Sequence, residues 1–247
     1  MRIALIADLH ANREAVSAVL DDVARRGADR IAFLGDLVGY GADPQWVVDR
    51  VRTEVDKGAI VVRGNHDASV SDPLREGLHE EAQRAIAWTR EQLDADAQAF
   101  LAGLPLTHEE GGVLYVHANA HAPARWEYLL SRIEVGRSLA ATHASLVVCG
   151  HVHEPMLWTM SGVGKLGEFV PVPGTAIPIP GPRRWLAVVG SAGQPRDGDP
   201  AACWALFDAS ARTICWHRVP YDHAGAAERI RAAGLPLRFA DRLETGT

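Results

Sequence analysis

Five short apolar runs, each followed directly by a polar cluster, dominate the first 153 residues of the chain. The runs cover residues 3–7, 31–34, 59–62, 113–116 and 146–149. Continuous apolar runs of this length are typical of strands that are buried on both faces. Amphipathic stretches that begin at Asn12 and at Asp43-Pro44 lie between them. The alternation of strand and helix predicts an α/β fold with a parallel or mixed sheet.

The remaining segments predict an insertion and a second sheet. Residues 73–103 read as a helical pair, with Asp94 as a new helix cap, in a position to cover the strand ends. After Pro155 the pattern changes to strands over 156–160, 169–172, 185–189, 203–207 and 213–219, and a helix over 225–233 stops at Gly234 and Pro236. We expect these later strands to form a second sheet packed on the first, within a single domain spanning residues 1–247.

Size, charge and composition narrow the class of protein. The chain has 247 residues, 47% of them hydrophobic, and a net charge of −6. These values are ordinary for a folded globular protein, and the negative charge argues against stable binding to nucleic acid. Because no apolar run could span a membrane and no leader segment precedes the first strand, we expect a cytoplasmic protein. The three cysteines form no Cys-x-x-Cys pair and are expected to be reduced core residues.

The polar clusters that follow the apolar runs contain five of the eleven histidines. The carboxyl ends of neighbouring parallel strands share one edge of a sheet, so distant clusters can meet there. Histidine, aspartate and asparagine that converge in this way can hold metal ions. The clusters are Asp8-Leu9-His10, Gly35-Asp36, Gly64-Asn65-His66-Asp67, His117 and Gly150-His151-Val152-His153.

Several of these residues have side chains suited to binding metal. Asp8 and His10 are two residues apart, so in extended backbone they point the same way and can bind one ion together. Asp36 follows a glycine, and its carboxylate has two oxygens with which to span two ions. His151 and His153 have the same spacing as the first pair and could each reach one metal.

Other polar residues are candidates for binding or catalysis around the ligands. Asn65 offers a carbonyl oxygen as a ligand, and the adjacent His66 points elsewhere and is free to transfer protons. Asp67 can orient that imidazole or the loop. Asn12 either contacts the ligand residues without binding metal itself or caps the helix that follows it. Arg13 and Arg196 are possible clamps for a phosphate group.

The order and spacing of these clusters resemble the calcineurin-like metallophosphoesterases. Five motifs match, from Asp8-x-His10 to Gly150-His151-x-His153, and they extend over residues 1–153. The segments 39–44 and 190–199 are further similar to a compact prokaryotic branch of small phosphoesterases. The resemblance implies a four-layered α/β/β/α sandwich with two mixed sheets.

The resemblance also implies a ligand set and a reaction. One divalent transition-metal ion (Mn, Fe, Zn, Ni or Co) would be held by Asp8, His10, Asp36 and His153. The second would be held by Asp36, Asn65, His117 and His151, with Asp36 as the bridge. Two such ions carry more positive charge than the carboxylates neutralise, which favours a phosphate and a bridging hydroxide that attacks phosphorus. His66 would protonate the leaving oxygen of a small phosphomonoester, phosphodiester or nucleotide substrate, or would stabilise charge there.

Alternative functions make different demands on the sequence. A catalytically weak, metal-binding interaction scaffold of the same fold would be expected to have lost histidines, whereas all five are present here. A dinuclear amidohydrolase usually starts with His-x-His and often bridges its metals with a lysine, but Lys57 and Lys165 lie at no predicted strand end. The segment 162–167 matches G-x-G-x-x-G, yet no helix follows it, so it predicts a hairpin turn.

Overall fold

The computed structural model describes residues 1–72 and 80–247. Its helices are short and lie between strands or at the end of the chain. They are α1 (Arg13–Arg26), α2 (Pro44–Val55), α3 (Asn65–Ser71), α4 (Glu80–Gln92), α5 (Ala95–Gly103), α6 (Arg132–Ala140), α7 (His223–Ala232) and α8 (Leu237–Thr245). The strands are β1 (Arg2–Ile6), β2 (Arg30–Phe33), β3 (Ile60–Val61), β4 (Thr107–Glu110), β5 (Val113–Val116), β6 (Leu146–Cys149), β7 (Met156–Met160), β8 (Leu166–Phe169), β9 (Ile177–Pro178), β10 (Arg184–Val188), β11 (Ala202–Asp208) and β12 (Thr213–Val219).

The strands form two mixed sheets. The first has the order β3-β2-β1-β11-β12-β9, in which β1, β2 and β3 are parallel and the others pair antiparallel. The second has the order β4-β5-β6-β10-β7-β8, in which β5, β6 and β10 are parallel. Parallel strands at the centre of each sheet are the ones expected to be buried on both faces.

Alternate residues of the strands face different layers. Leu5, Val148 and Trp216 belong to an apolar core between the two sheets. The opposite face of the first sheet packs on α1, α2 and α5, and that of the second packs on α6. The layers are therefore α/β/β/α, as predicted.

The later strands do not form a sheet of their own, and this expectation was wrong. β11 and β12 extend the sheet that contains β1, whereas β7, β8 and β10 extend the sheet that contains β5 and β6. Each sheet thus combines strands from both halves of the chain. Hydrophobic patterning defines which residues are buried but not which strand is the neighbour, because strand pairing is a long-range choice.

Two local predictions were also inaccurate, and one helix was not predicted. The strand expected at 169–172 lies at Leu166–Phe169, because the turn after β7 is tight and Pro171 cannot donate to a ladder. Asp43 precedes α2 but its side chain makes no capping hydrogen bond, and it pairs with Arg229 instead. α8 follows the predicted stop, because Pro236 serves as the residue before its first turn.

The helical segment predicted at 73–103 is only partly described. α4 and α5 cover residues 80–103, and Asp94 caps α5 through the backbone N–H of Ala97 at 2.7 Å, as predicted. Residues 73–79 lie outside the described residues. Across the described ranges, no helix is both long enough and apolar enough to cross a membrane.

Candidate metal centre

The polar clusters meet at one place because the strand ends of the two sheets adjoin. Loops continue the ladders beyond the strands: the backbone N–H of Asp8 donates to Gly35 O at 3.1 Å, and that of Gly150 donates to His117 O at 2.9 Å. The two sheets are joined by the backbone N–H of His151, which donates to the Asp8 carboxylate at 2.9 Å. The site therefore lies between the sheets and not on the edge of a single sheet.

The backbone at the clusters is not extended. Asp8, His10, Asp36, His151 and His153 all have positive φ, between 46° and 68°. The expectation that Asp8 and His10 point alike because their backbone is extended was wrong, since β1 has already ended at Ile6. Left-handed backbone at non-glycine residues is costly and concentrates at functional sites. Here it turns each side chain toward the space between the sheets.

The first group of converging atoms contains Asp8, His10 and His153. The Nε2 atoms of the two histidines are 3.1 Å apart. Asp8 Oδ1 lies 3.5 Å from His153 Nε2 and 4.0 Å from His10 Nε2. All three side chains are buried, and they could hold a metal ion together.

The second group contains Asp36, His117 and His151, with Asn65 beside it. His117 Nε2 lies 3.2 Å from His151 Nδ1, 3.1 Å from Asn65 Oδ1 and 3.3 Å from Asp36 Oδ2. Asp36 Oδ2 also lies 3.9 Å from His10 Nε2 in the first group. Asp36 is thus positioned between the two groups.

Backbone carbonyls determine which nitrogen of each histidine is free. The Nδ1 atoms of His10, His117 and His153 donate to Val38 O at 3.2 Å, Leu34 O at 2.8 Å and Gln194 O at 2.6 Å. His151 is reversed, since its Nε2 donates to Trp126 O at 2.9 Å. A neutral imidazole has one N–H, so the other nitrogen of each ring carries a free lone pair. Carbonyl partners of this kind are typical of metal-binding histidines.

The lone pair of His10 Nε2 faces that of His153 Nε2, and the lone pair of His117 Nε2 faces that of His151 Nδ1. Two facing lone pairs repel each other unless a cation lies between them. Two nitrogens bound to one metal at about 2.05 Å are separated by about 2.9–3.4 Å for octahedral to tetrahedral angles. The separations of 3.1 Å and 3.2 Å fall in this range. The residues present therefore fit two metal ions.

Charge and burial favour the neutral, metal-binding form of most of these rings. Burial lowers the pKa of His10 and His153 well below the usual range, and that of His151 to about 3. His117 differs: burial disfavours its charge, but the Asp36 carboxylate raises its pKa to about 9. A cation next to Asp36 would replace the proton that His117 otherwise carries.

His66 lies in the site but lacks the carbonyl partner of the other four histidines. Its Nδ1 is buried without a hydrogen bond, and its backbone N–H donates to Asp36 Oδ1 at 2.8 Å. The ring packs on Tyr40 and His10, at centroid distances of 4.4 Å and 5.0 Å. Together with His10 and Asp36 it forms a third group of converging ligand atoms. The ring is thus within reach of anything bound there.

Asp67 and Asn12 form hydrogen bonds with neighbouring segments and not with the histidine rings. The Asp67 carboxylate accepts from the N–H groups of Leu37 and Gly64, both at 2.9 Å, so it ties together the loops after β2 and β3. Burial, reinforced by the Asp36 charge, raises its pKa to about 7. Asn12 Oδ1 accepts from Ala15 N–H at 3.1 Å and caps α1. The contacts of Asp67 favour its loop-orienting interpretation. Asn12 caps the helix and also donates through Nδ2 to Gly193 O at 2.8 Å, beside the residue that orients His153, so both of its interpretations remain.

The two arginines predicted as phosphate clamps are placed differently. Arg13 is exposed, and its guanidinium lies over the ring of Trp46 at 5.2 Å. Arg196 is half-buried beside the histidines: its backbone N–H donates to His153 O at 3.3 Å and its guanidinium lies 5.8 Å from the Tyr40 ring centroid. Only Arg196 is brought to the candidate site.

Sequence reasoning missed several neighbours of the histidines. Tyr128 stacks on His151 with ring centroids 4.0 Å apart, and Tyr40 packs on His10 at 4.6 Å. Gln194 orients His153 through its backbone carbonyl. Tyr40 and Gln194 lie in the segments 39–44 and 190–199, but no local pattern marks their contacts with the histidines, because those contacts depend on long-range packing.

Glycine is required at position 64 because there is no room for a side chain, and not because of its backbone angle. Its φ is −93°, which alanine can adopt, but a Cβ would overlap the Asp36 carboxylate. Gly64→Ala should therefore displace Asp36, lower the metal content and cost about 1–3 kcal/mol of unfolding free energy. Metal analysis and urea unfolding test this, with Gly103→Ala as the control because its Cβ would meet open space. Wild-type metal content and stability in Gly64→Ala would contradict the tight fit.

A two-sheet sandwich with a histidine and carboxylate site between its strand ends defines a class of metal-dependent phosphoesterases, and the comparisons agree. Residues 1–212 match the model of the calcineurin-like phosphoesterase superfamily domain. The chain belongs to this superfamily. It is 36% identical to the uncharacterized protein MJ0912 of Methanocaldococcus jannaschii over 249 residues, covering 99% of this chain and 98% of that protein.

Solved structures support the same assignment. A metallophosphoesterase from Sphaerobacter thermophilus superimposes with a TM-score of 0.88 at 34% identity, covering 100% of this chain and 99% of that one. The hypothetical protein PH1004 from Pyrococcus horikoshii OT3 superimposes with a TM-score of 0.80 at 20% identity, covering 100% and 98%. The second likeness shows the fold alone.

Proposed function

We propose that the chain is a dinuclear metal-dependent hydrolase of small phosphoesters, nucleotides included. The observation that carries the proposal is the pair of facing imidazole nitrogens in each group, 3.1 Å and 3.2 Å apart, with Asp36 between them. Histidine and carboxylate donors without thiolates suit Mn, Fe, Zn, Ni or Co better than Mg or Ca.

The ligand set follows from the two groups. The first ion would be held by Asp8, His10 and His153, and the second by Asn65, His117 and His151, with Asp36 shared between them. Bound ions would polarise the phosphoryl oxygens and lower the pKa of a water molecule. The carbonyls that hold each ring keep the donor nitrogens oriented before any ion binds.

The protein's own groups would bind and orient the ester. His66, whose ring faces the space next to Asp36, is proposed to protonate the leaving oxygen. Burial lowers its pKa while the Asp36 charge opposes this, so a bound phosphate anion would favour the protonated ring. Arg196 would help to bind the phosphate-bearing part of the substrate, and Asp67 and Asn12 would hold the loops in place. The sheets combine strands from both halves of the chain, which supports one domain over residues 1–247.

A substrate panel combined with metal analysis tests the proposal. Purified protein would be analysed for bound metals, then stripped and reloaded with Mn, Fe, Ni, Co or Zn. p-Nitrophenyl phosphate, bis(p-nitrophenyl) phosphate and dinucleoside polyphosphates would be offered to each form. We expect two ions per chain and metal-dependent turnover of at least one ester class. Full occupancy without turnover of any ester would favour the interaction scaffold, and one ion per chain would contradict the dinuclear centre.

A further inference from the structure

Tyr40, Tyr128 and Arg196 lie beside the histidines of the candidate metal centre, and Arg242 lies on the helix that packs on Tyr40. They come from four separate segments: Tyr40 follows β2, Tyr128 precedes α6, Arg196 follows β10 and Arg242 lies on α8. We refer to these four residues as the arginine–tyrosine cluster. The ligand set proposed above uses none of their side chains.

Contacts with Tyr40 place Arg196 next to the histidines. The Tyr40 ring packs on both His10 and His66, and the Arg196 guanidinium lies 5.8 Å from its centroid. Arg196 Nη2 donates to Gln194 Oε1 at 2.9 Å, which holds the side chain in place. Its Nε is buried without a hydrogen-bond partner. The Arg196 guanidinium is thus held in place while its Nε–H lacks an acceptor, and a bound ligand could supply that acceptor.

Helix α8 brings Arg242 to the same place. Phe239 packs on Tyr40 at a centroid distance of 4.7 Å. Arg242 is three residues further along the helix and so lies on the same face. Burial, together with the charges of Arg196 and Arg238, lowers the pKa of Arg242. The two half-buried guanidinium groups of the cluster therefore repel each other.

No carboxylate of the described residues compensates this repulsion within 4 Å of Arg196 or Arg242. Arg238, by contrast, pairs with Glu81 at 2.8 Å. Neighbouring arginines that form no ion pair are typical of sites that bind phosphate, whose oxygens accept paired hydrogen bonds from the planar guanidinium. The Tyr40 and Tyr128 rings contact His10 and His151, so both phenols lie beside the candidate metal ligands.

We propose that Arg196 and Arg242 bind a second phosphate of the substrate, next to the phosphate that lies at the metal centre. This inference rests on the proposed phosphoesterase function. It narrows the substrate class to compounds with two linked phosphates, such as nucleoside diphosphates and longer polyphosphates, in preference to simple monoesters. The free guanidinium N–H groups of the two arginines can donate to the terminal oxygens of such a phosphate.

Binding of two nucleotides that differ by one phosphate tests the inference. Calorimetry on the metal-loaded protein would compare adenosine 5′-(α,β-methylene)diphosphate, which resists cleavage between its phosphorus atoms, with adenosine 5′-monophosphate. We expect the wild type to bind the diphosphate analogue at least about tenfold more tightly, the effect of one charge-assisted contact. Arg196→Gln and Arg242→Gln should each reduce this ratio about tenfold. Arg242→Lys keeps the positive charge and should therefore retain part of the preference for the diphosphate analogue.

Controls separate this inference from folding and from the function on which it rests. Arg25→Gln, at the exposed far end of α1, should leave the ratio unchanged. Metal content and thermal unfolding of each variant show whether the centre is intact. A wild-type ratio near one, or glutamine variants with the wild-type ratio, would overturn the second phosphate site. Preferential binding without hydrolysis of any phosphoester would instead contradict the proposed function and leave the anion site standing.

Discussion

Replacing Asp36 by asparagine is expected to remove both metal ions and to lower turnover about a thousandfold or more. Asp36 Oδ2 lies 3.3 Å from His117 Nε2 and 3.9 Å from His10 Nε2, so this carboxylate faces both groups. Asparagine keeps the shape and loses the charge. Losing the charge stabilisation that two ions give a transition state costs several kcal/mol, and about 4 kcal/mol corresponds to a thousandfold in rate.

Asparagine is the informative substitution because of the backbone. Asp36 has φ of 51°, a conformation that asparagine adopts more readily than alanine. Its side-chain oxygen can still accept the hydrogen bond from the His66 backbone. A loss of metal would then reflect the missing charge and not a distorted loop. Circular dichroism and thermal unfolding would verify that the variant is folded.

Two further variants serve as comparisons for the metal content of Asp36→Asn. The Asp8 carboxylate approaches ligand nitrogens of the first group only. Its contact with the second group is the hydrogen bond from the His151 backbone N–H, which an asparagine oxygen can still accept, so Asp8→Asn should remove one ion and leave the other. Asp56→Asn changes an exposed carboxylate at the end of α2 and should retain two ions and full turnover. Metal per chain would be measured by mass spectrometry after dialysis. Two ions per chain in Asp36→Asn would refute the bridging role.

Local sequence signals predicted the strands that carry the site. β7 and β12 have the predicted bounds, and the runs before the polar clusters correspond to β1, β2, β3, β5 and β6. Buried strands leave a strong signal because every residue must be apolar. The clusters were recognisable because histidine, aspartate and glycine rarely follow such strands repeatedly by chance. These features depend only on neighbours in sequence.

Long-range features of the site could not be predicted from such signals. The assignment of β5 and β6 to a second sheet places His117 opposite Asp36, and no local pattern encodes that pairing. The orienting carbonyls are backbone atoms, and any residue type could supply them. Arg242 lies on a helix that the sequence pattern did not predict, 206 positions after Asp36. Such residues become visible only once packing brings the segments together.

Replacing His66 by alanine is expected to leave two metal ions bound while slowing hydrolysis of esters with poor leaving groups by about 10²–10⁴-fold. The ring lacks the carbonyl hydrogen bond that orients the four proposed ligand histidines, and its buried Nδ1 has no partner. It therefore does not share the arrangement that prepares a nitrogen for metal. The leaving group of an alkyl phosphate is a basic alkoxide that needs a proton, whereas p-nitrophenolate is a weak base and leaves without one.

The leaving-group comparison separates proton transfer from a structural role of His66. Loss of packing against Tyr40 would slow alkyl and p-nitrophenyl esters alike, whereas loss of a proton donor slows the alkyl ester far more. His143→Ala changes an exposed histidine before β6, at the opposite end of that strand from His151, and as the control it should slow neither ester. Equal rates of wild type and His66→Ala on the alkyl ester would exclude the proton donor. Loss of an ion would instead identify His66 as a ligand, which its place in the third group with His10 and Asp36 permits.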